Sequence, residues 1–334
     1  MNEGTAEAVR KGLRDPVLIL GGSGFIGTCL ADLLTRHSLS VRIADVKVSE
    51  KFPQLCLNCD VTDLSSVKQA VTGSGAIVNL AAEHRDDVSP RSRYRDVNVQ
   101  GAVHVCEAAT LAGVKKIIFT SSVAVYGFQP HAVSEDGPFE PFNEYGKTKL
   151  QAEAVYIAWA EEDPSRSLVI VRPTVVFGEG NRGNVYNLLN QIAKGRFLMV
   201  GAGTNVKSMA YVGNVAAFLA HALSLGSGIH ISNYVDGPDL STRELVQYIH
   251  HCLATPTRIR SVPKFAAIGV GYGFDLVARL SGRRFSISAI RVKKFCETTR
   301  VRADRVEAWG FTPPYSLSDG LARTIASEFG NPSS

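Results

Sequence analysis

Four consecutive apolar residues, Val17-Leu18-Ile19-Leu20, run straight into Gly21-Gly-Ser-Gly24-Phe25-Ile26-Gly27, and an apolar stripe at helical spacing (Ile26, Leu30, Leu33, Leu34) follows. A short, uniformly apolar run reads as a strand buried on both faces of a parallel sheet. Glycines at three-residue intervals let the chain turn tightly at the strand's end. They also leave the first N–H groups of the next helix open to an anion. The alternation then continues: a strand at Val41–Ala44, another near Cys56–Cys59, a helix from Leu64, a strand at Ala76–Leu80, a helix through Val97–Leu111 and a strand at Lys116–Thr120. A helix follows Tyr145, and Ser167–Val171 is one more strand. Strands alternating with helices at these intervals predict βαβ units and an α/β fold covered on both faces.

The fold class is therefore a Rossmann-type doubly wound parallel sheet with a smaller, mostly helical C-terminal part. Residues 1–14 form a polar leader, 15–177 a dinucleotide-binding domain with a return segment at about 208–236, and 178–207 with 237–334 a substrate-binding part. The glycine-rich stretch Gly178–Gly183 is a loop, and Val185–Lys194 is helical in pattern.

With 45% apolar and 20% charged residues, the 334-residue chain has ample core-forming material. Disordered and collagen-like classes are excluded. No membrane span is expected: Phe265–Phe274 is uncharged but carries three glycines. No secretory signal is visible, and six scattered cysteines suit a reducing compartment, so the expected location is cytoplasmic. Cys56 and Cys59 lack a second ligand pair at zinc spacing, and no metal is expected. Charge is unevenly placed. Between Arg258 and Arg305 twelve Lys/Arg face three acids, a net +9, while the whole chain is +5. That segment suits an anionic partner; with no binding motif beside it, nucleic acid is not expected. Phe265–Leu280, flanked by arginines, is also a candidate for lying on an anionic membrane surface.

Asp45 closes the second strand. An acid there accepts the ribose hydroxyls of an adenosine and repels a 2′-phosphate, which favours NAD over NADP. Tyr145 and Lys149 are four residues apart and so share one helix face. An ammonium beside a phenol favours the phenolate and lowers its pKa, making the tyrosine a general acid/base. Thr120-Ser121-Ser122 ends a strand, where open α/β sheets place their ligands.

These residues resemble the extended short-chain dehydrogenase/reductase family, and within it the nucleotide-sugar epimerases and dehydratases. The matching stretches are GGSGFIG (21–27), Asp45, CDVTD (59–63), NLAAEH (79–84), DVNVQGA (96–102), TSSVAVYG (120–127), YGKTK (145–149), RPTVVFGEG (172–180) and KSMAYVGNVA (207–216). The resemblance implies that Gly21, Gly24, Phe25, Ile26, Gly27 and Asp45 hold NAD. Asp60 and Val61 would lie at the adenine, and Leu80, Ala81, Ala82 and Thr174 would line the cofactor. Asn98 would brace the site. Ser122, Tyr145 and Lys149 would be catalytic, with Lys149 also on the nicotinamide ribose. Ser122, Tyr145, Asn184 and Lys207 would meet the substrate. His84 follows the fourth strand, near where cofactor and sugar should meet, and the basic C-terminal segment offers Arg283, Arg284, Arg291 or Lys293 to the diphosphate. Relatives pair such helices into a homodimer, and Tyr156 and Trp159 are read as its outer stripe.

Dehydratases of this group carry an Asp-Glu pair where this chain has Val123 and Ala124, and fucose-synthase-type enzymes a cysteine where it has Val123. Both activities are therefore excluded. Val175 replaces an asparagine common in epimerases. The expected function is NAD-dependent epimerisation of a nucleoside-diphosphate sugar at C4 through a 4-keto intermediate. The alternatives are a 4-ketosugar reductase and, outside catalysis, a cofactor-sensing regulatory protein.

Overall fold

The computed structural model describes residues 3–13, 15–85, 88–256, 259–281 and 296–330. Seven strands, β1 (Val17–Leu20), β2 (Val41–Asp45), β3 (Cys56–Asn58), β4 (Ala76–Asn79), β5 (Lys116–Thr120), β6 (Ser167–Pro173) and β10 (Gly228–Tyr234), form one sheet. Their order is β10-β6-β5-β4-β1-β2-β3, with every pair parallel. The order reverses between β1 and β4, which opens the crevice where such sheets bind ligands.

Alternate residues of the strands feed two cores. Val17, Ile19 and Val78 face α2 (Phe25–Arg36) and α8 (Val212–Ala222). Leu18, Leu20 and Ile77 face α3 (Leu64–Val71), α5 (Gly101–Ala112) and α6 (Glu144–Glu161). The single turn α4 (Ser92–Arg95) precedes α5 in the chain. A strand buried on both sides presents apolar side chains to both layers, which is why Val17–Leu20, Ala76–Val78 and Leu168–Val171 read as unbroken runs.

The first residues do more than lead in. Glu3–Gly12 is a helix, α1, and its Ala6 and Val9 are buried, Val9 within the main core. Their i, i+3 spacing is the signal inside an otherwise polar stretch. Cys56 starts β3, the sheet's edge strand, where Leu57 is exposed, and Cys59 is buried just beyond the strand. Tyr156 and Trp159 are also inside the chain, packed in the second core. Asn79 donates to the Tyr156 hydroxyl at 2.6 Å, and the Trp159 indole donates to Thr110 at 3.1 Å. Each buried polar tip has a partner within the chain, so neither residue offers an outer stripe for a second subunit.

A second lobe lies over the carboxyl ends of the main strands. It contains β7 (Val175–Phe177), α7 (Asn184–Ala193), β8 (Leu198–Val200), β9 (Val206–Tyr211), β11 (Asp236–Ser241), α9 (Thr242–Cys252), β12 (Arg260–Val262), α10 (Lys264–Ser281) and α11 (Leu317–Phe329). β11-β9-β7 and β12-β8 are small sheets of their own, so the region beyond Gly237 is less purely helical than its pattern suggested. Among the described residues no helix is long and apolar enough to cross a membrane.

Candidate active site

Gly21 ends β1 with φ +72°, and a Cβ there would meet the Ala81 amide nitrogen at 2.6 Å. Only glycine permits both that backbone and that approach between the first turn and the end of β4. Helix α2 then begins with Gly24 as its N-cap and no side chain capping it. Its first N–H groups are left for an anion, with the helix dipole behind them. Asp45 stands at the end of β2, accepting from the Ser23 amide at 3.1 Å and the Lys47 amide at 3.0 Å. Those bonds fix the carboxylate against the glycine turn, and each oxygen keeps a further acceptor site. The uncapped helix and the anchored acid together fit a dinucleotide's pyrophosphate and ribose.

Around this turn the other expected cofactor residues are held by backbone and packing. Asp60 accepts from the Thr62 amide and hydroxyl, and Val61 is buried against Gly101. Phe25 and Ile26 pack against the core of the second lobe. Leu80 donates to the Leu20 carbonyl, Ala81 to the Asn79 side chain, and Ala82 follows on the partly open loop after β4. Thr174 is buried and donates to the Tyr234 carbonyl. Asn98 sits in a π-helical turn, Asp96–Gln100, a local widening frequent at functional sites. Its amide exchanges hydrogen bonds with the Glu83 backbone and donates to Thr148 at 2.9 Å. One side chain thus fastens the loop carrying Ala81–His84 to helix α6.

Tyr145 occupies the first turn of α6, where Asn143 caps the helix by accepting from the Gly146 amide at 2.9 Å. A Cβ on Gly146 would lie 2.4 Å from the Ala124 carbonyl, so this glycine lets the helix press on the one-turn helix after β5. That approach brings Tyr145 to Ser122, with which it hydrogen-bonds. Lys149 is buried, donates to the Thr120 carbonyl at 2.8 Å, and lies 4.6 Å from the Phe119 ring centre and 6.0 Å from that of Tyr145.

The electrostatics differ from the sequence expectation. Burial raises the Tyr145 phenol, with the Ser122 bond opposing it, whereas the neighbouring lysine was expected to lower it. The reason is that burial also pushes Lys149 down, from 10.5 to about 7, with Glu153 pulling upward. An ammonium near its own midpoint gives the phenol only part of a charge.

Glu153, one turn beyond Lys149, was not singled out from the sequence. It is buried and pairs bidentately with buried Arg172, at 2.9 and 2.6 Å, while Ser121 donates to the same carboxylate. Arg172 also donates to the Tyr126 hydroxyl and the Glu135 carbonyl. The Lys149/Glu153 spacing of four was the available signal.

The expected substrate residues are less concentrated. Asn184 is exposed at the start of α7, and His84 is exposed on the loop after β4. Lys207 lies on β9, donates to Thr299 at 3.2 Å, and is pushed down by burial. Arg283 lies outside the described residues. Among the described residues no cluster could hold a metal.

Residues 17–233 match the model of the NAD dependent epimerase/dehydratase family. The chain is 48% identical over 319 residues, 95% of its length and 96% of the relative's, to the N-acetyl-alpha-D-glucosaminyl-diphospho-ditrans,octacis-undecaprenol 4-epimerase of Escherichia coli O157:H7. It is 29% identical to the UDP-glucose 4-epimerase of Vibrio cholerae, covering 92% and 94% of the two chains. The UDP-glucose 4-epimerase of Thermus thermophilus, solved with NAD, has the same fold at TM-score 0.73 and 21% identity, covering 93% and 98% of the chains. The glycine turn, the anchored Asp45 and the Ser122–Tyr145–Lys149 group lie within the matched span, and the chain belongs to the NAD dependent epimerase/dehydratase family.

Proposed function

We propose that this NAD-dependent epimerase inverts C4 of an N-acetylhexosamine whose diphosphate is carried by a polyprenyl chain. The observation that carries the reading is the 48% identity, sustained over 95% of the chain, to an enzyme named for a substrate of that kind. A nucleoside-diphosphate hexose is the second reading, favoured by the 29% identity to a UDP-glucose 4-epimerase. Both readings share the reacting end and differ in what the diphosphate joins.

At the reacting end Tyr145 takes the proton of the C4 hydroxyl, and Ser122 hydrogen-bonds the same oxygen as it becomes a carbonyl. Lys149 supplies part of a positive charge near the phenol and stays fixed by the Thr120 carbonyl. When bound, NAD supplies a reversible hydride acceptor, so C4 is oxidised and then reduced on its opposite face with no net oxidation. Tyr145 returns the proton to the C4 oxygen. Lys207 and Asn184 serve the diphosphate end; lysine meets phosphate as a point charge. Every residue in this reading comes from one chain. Tyr156 and Trp159 pack in the core and lend the expected homodimer no support.

The test incubates purified protein, without added cofactor, with a short-chain polyprenyl-diphospho-N-acetylglucosamine, UDP-N-acetylglucosamine and UDP-glucose in parallel, following products by NMR. The lipid-linked sugar is expected to convert to its C4 epimer. Turnover confined to the UDP-sugars overturns the carrier. Tyr145→Phe should lower turnover by about 10²–10⁴-fold with bound NAD retained; undiminished turnover removes Tyr145 from the chemistry.

A further inference from the structure

Helix α10 runs unbroken from Lys264 to Ser281 through all three glycines of its apolar stretch. It is fixed at its entrance: β12 pairs with β8, the Gly201 amide donates to the Val262 carbonyl, and the Ala267 amide to that of Pro263. Beyond that entrance its outward side is apolar. Phe265 is 80% exposed, Val270 56%, Tyr272 55% and Val277 48%, with exposed Gly269 and Gly273 between them. At 3.6 residues per turn these six positions fall on one arc of about 160°. Ala267, Ile268 and Phe274, on the remaining side, are half-buried. An ordinary surface helix has the opposite arrangement, with its polar side toward water.

We propose that α10 docks the enzyme on an anionic lipid bilayer, lying in the interface with this apolar arc among the acyl chains. The proposal rests on the carrier-lipid reading and adds the surface that would meet the membrane. Charge selects the occupant. Arg260 and Lys264 precede the arc, and Arg279, Arg283 and Arg284 end or follow the helix within the +9 segment. An apolar arc with basic ends is the pattern of an interfacial helix on anionic lipid. The same charge opposes a second copy of the chain, because pairing two such faces would bring two +9 segments together.

Position supports the same occupant. Lys264 lies 4.0 Å from Glu297, Glu297 acts electrostatically on Lys207, and Lys207 donates to Thr299 two residues further on. The helix thus begins beside the lysine assigned to the diphosphate. A carrier lipid holds its diphosphate at headgroup depth with its chain in the hydrocarbon. An enzyme seated through α10 would meet that diphosphate without lifting the lipid from the bilayer.

The test is flotation of the full-length protein with phosphatidylglycerol/phosphatidylethanolamine vesicles, with phosphatidylcholine vesicles as control and no sugar substrate present. Wild-type protein should float with the anionic vesicles and release as salt rises. The double variant Phe265→Ser, Val270→Ser should bind at least about tenfold less tightly, with its NAD content unchanged. Should the double variant misfold, Phe265→Trp gives a second reading, since its emission should shift to the blue on anionic vesicles. Failure of the wild type to float, equal flotation of the double variant, or no spectral shift overturns the proposal. So does a wild-type dimer that the double variant abolishes without any change in flotation. Because no substrate is present, these outcomes are separate from the carrier reading: a protein that floats yet converts only UDP-sugars refutes the carrier alone.

Discussion

Lys149 places a functional charge where folding alone would not tolerate it, and Lys149→Met should expose the cost. Burial takes its pKa from 10.5 to about 7. At roughly 1.4 kcal/mol per unit, keeping the proton on the unfolded chain but only half on the folded one costs about 4 kcal/mol near pH 7. Against this stands the hydrogen bond to the Thr120 carbonyl, worth about 1 kcal/mol. Methionine keeps the stem's volume, and Glu153 keeps Arg172 as its partner. The variant should therefore lose turnover yet gain about 3 kcal/mol of stability. The pH dependence follows from the direction of the shift. Between the folded and unfolded pKa values the unfolded chain binds the extra proton, so wild-type stability rises with pH across that window. The variant's advantage should shrink by about 2 kcal/mol from about pH 7 to about pH 9. Urea unfolding of both proteins, stripped of NAD, reads both quantities. A variant less stable than wild type at neutral pH, or a gap independent of pH, would refute the reasoning.

Two further substitutions probe the surroundings of the same site. Glu153→Leu leaves the Arg172 charge buried without its carboxylate, and should cost about 3–5 kcal/mol in urea unfolding; a loss below about 1 kcal/mol would mean that the pair is solvated. Asp45→Asn removes the negative charge facing the ribose while keeping an acceptor for the Ser23 amide. Titration should show NAD binding weakened about tenfold or less and NADP binding strengthened, and an unchanged NAD/NADP ratio would take Asp45 out of cofactor choice.

What could be read from the chain was whatever local order encodes. The run Val17–Leu20, the glycines at 21, 24 and 27, and Asp45 lie within one βαβ unit, and the structure brings them to one crevice. Tyr145 and Lys149 share a helix face by spacing alone. Partners set by tertiary packing were less legible. Glu153 and Arg172 are 19 residues apart on different elements, and nothing local says that they meet. Tyr156 and Trp159 were read as outward because aromatic residues at helical spacing look alike on a core face and an interface. Which face is covered depends on α5 and the sheet. The direction of the Tyr145 shift was missed for a related reason: spacing reveals the neighbouring charge, while burial, the larger effect, is a property of the assembled fold.

The outermost strand of the main sheet has a consequence for how the molecule is made. β10 pairs with β6 along its full length, from Gly228 against Ser167 to Tyr234 against Pro173. A chain leaving the ribosome presents β6 about 55 residues before its partner exists. Until then Leu168–Val171 is an apolar ribbon with one side of unpaired N–H and C=O groups, an edge onto which another nascent copy can add. The uncharged segment Ser208–Val235 that supplies α8 and β10 is thus also what seals this edge. Aggregation during synthesis, rather than instability once folded, is the hazard concentrated at this seam, and slow translation between the two strands would lengthen the exposure.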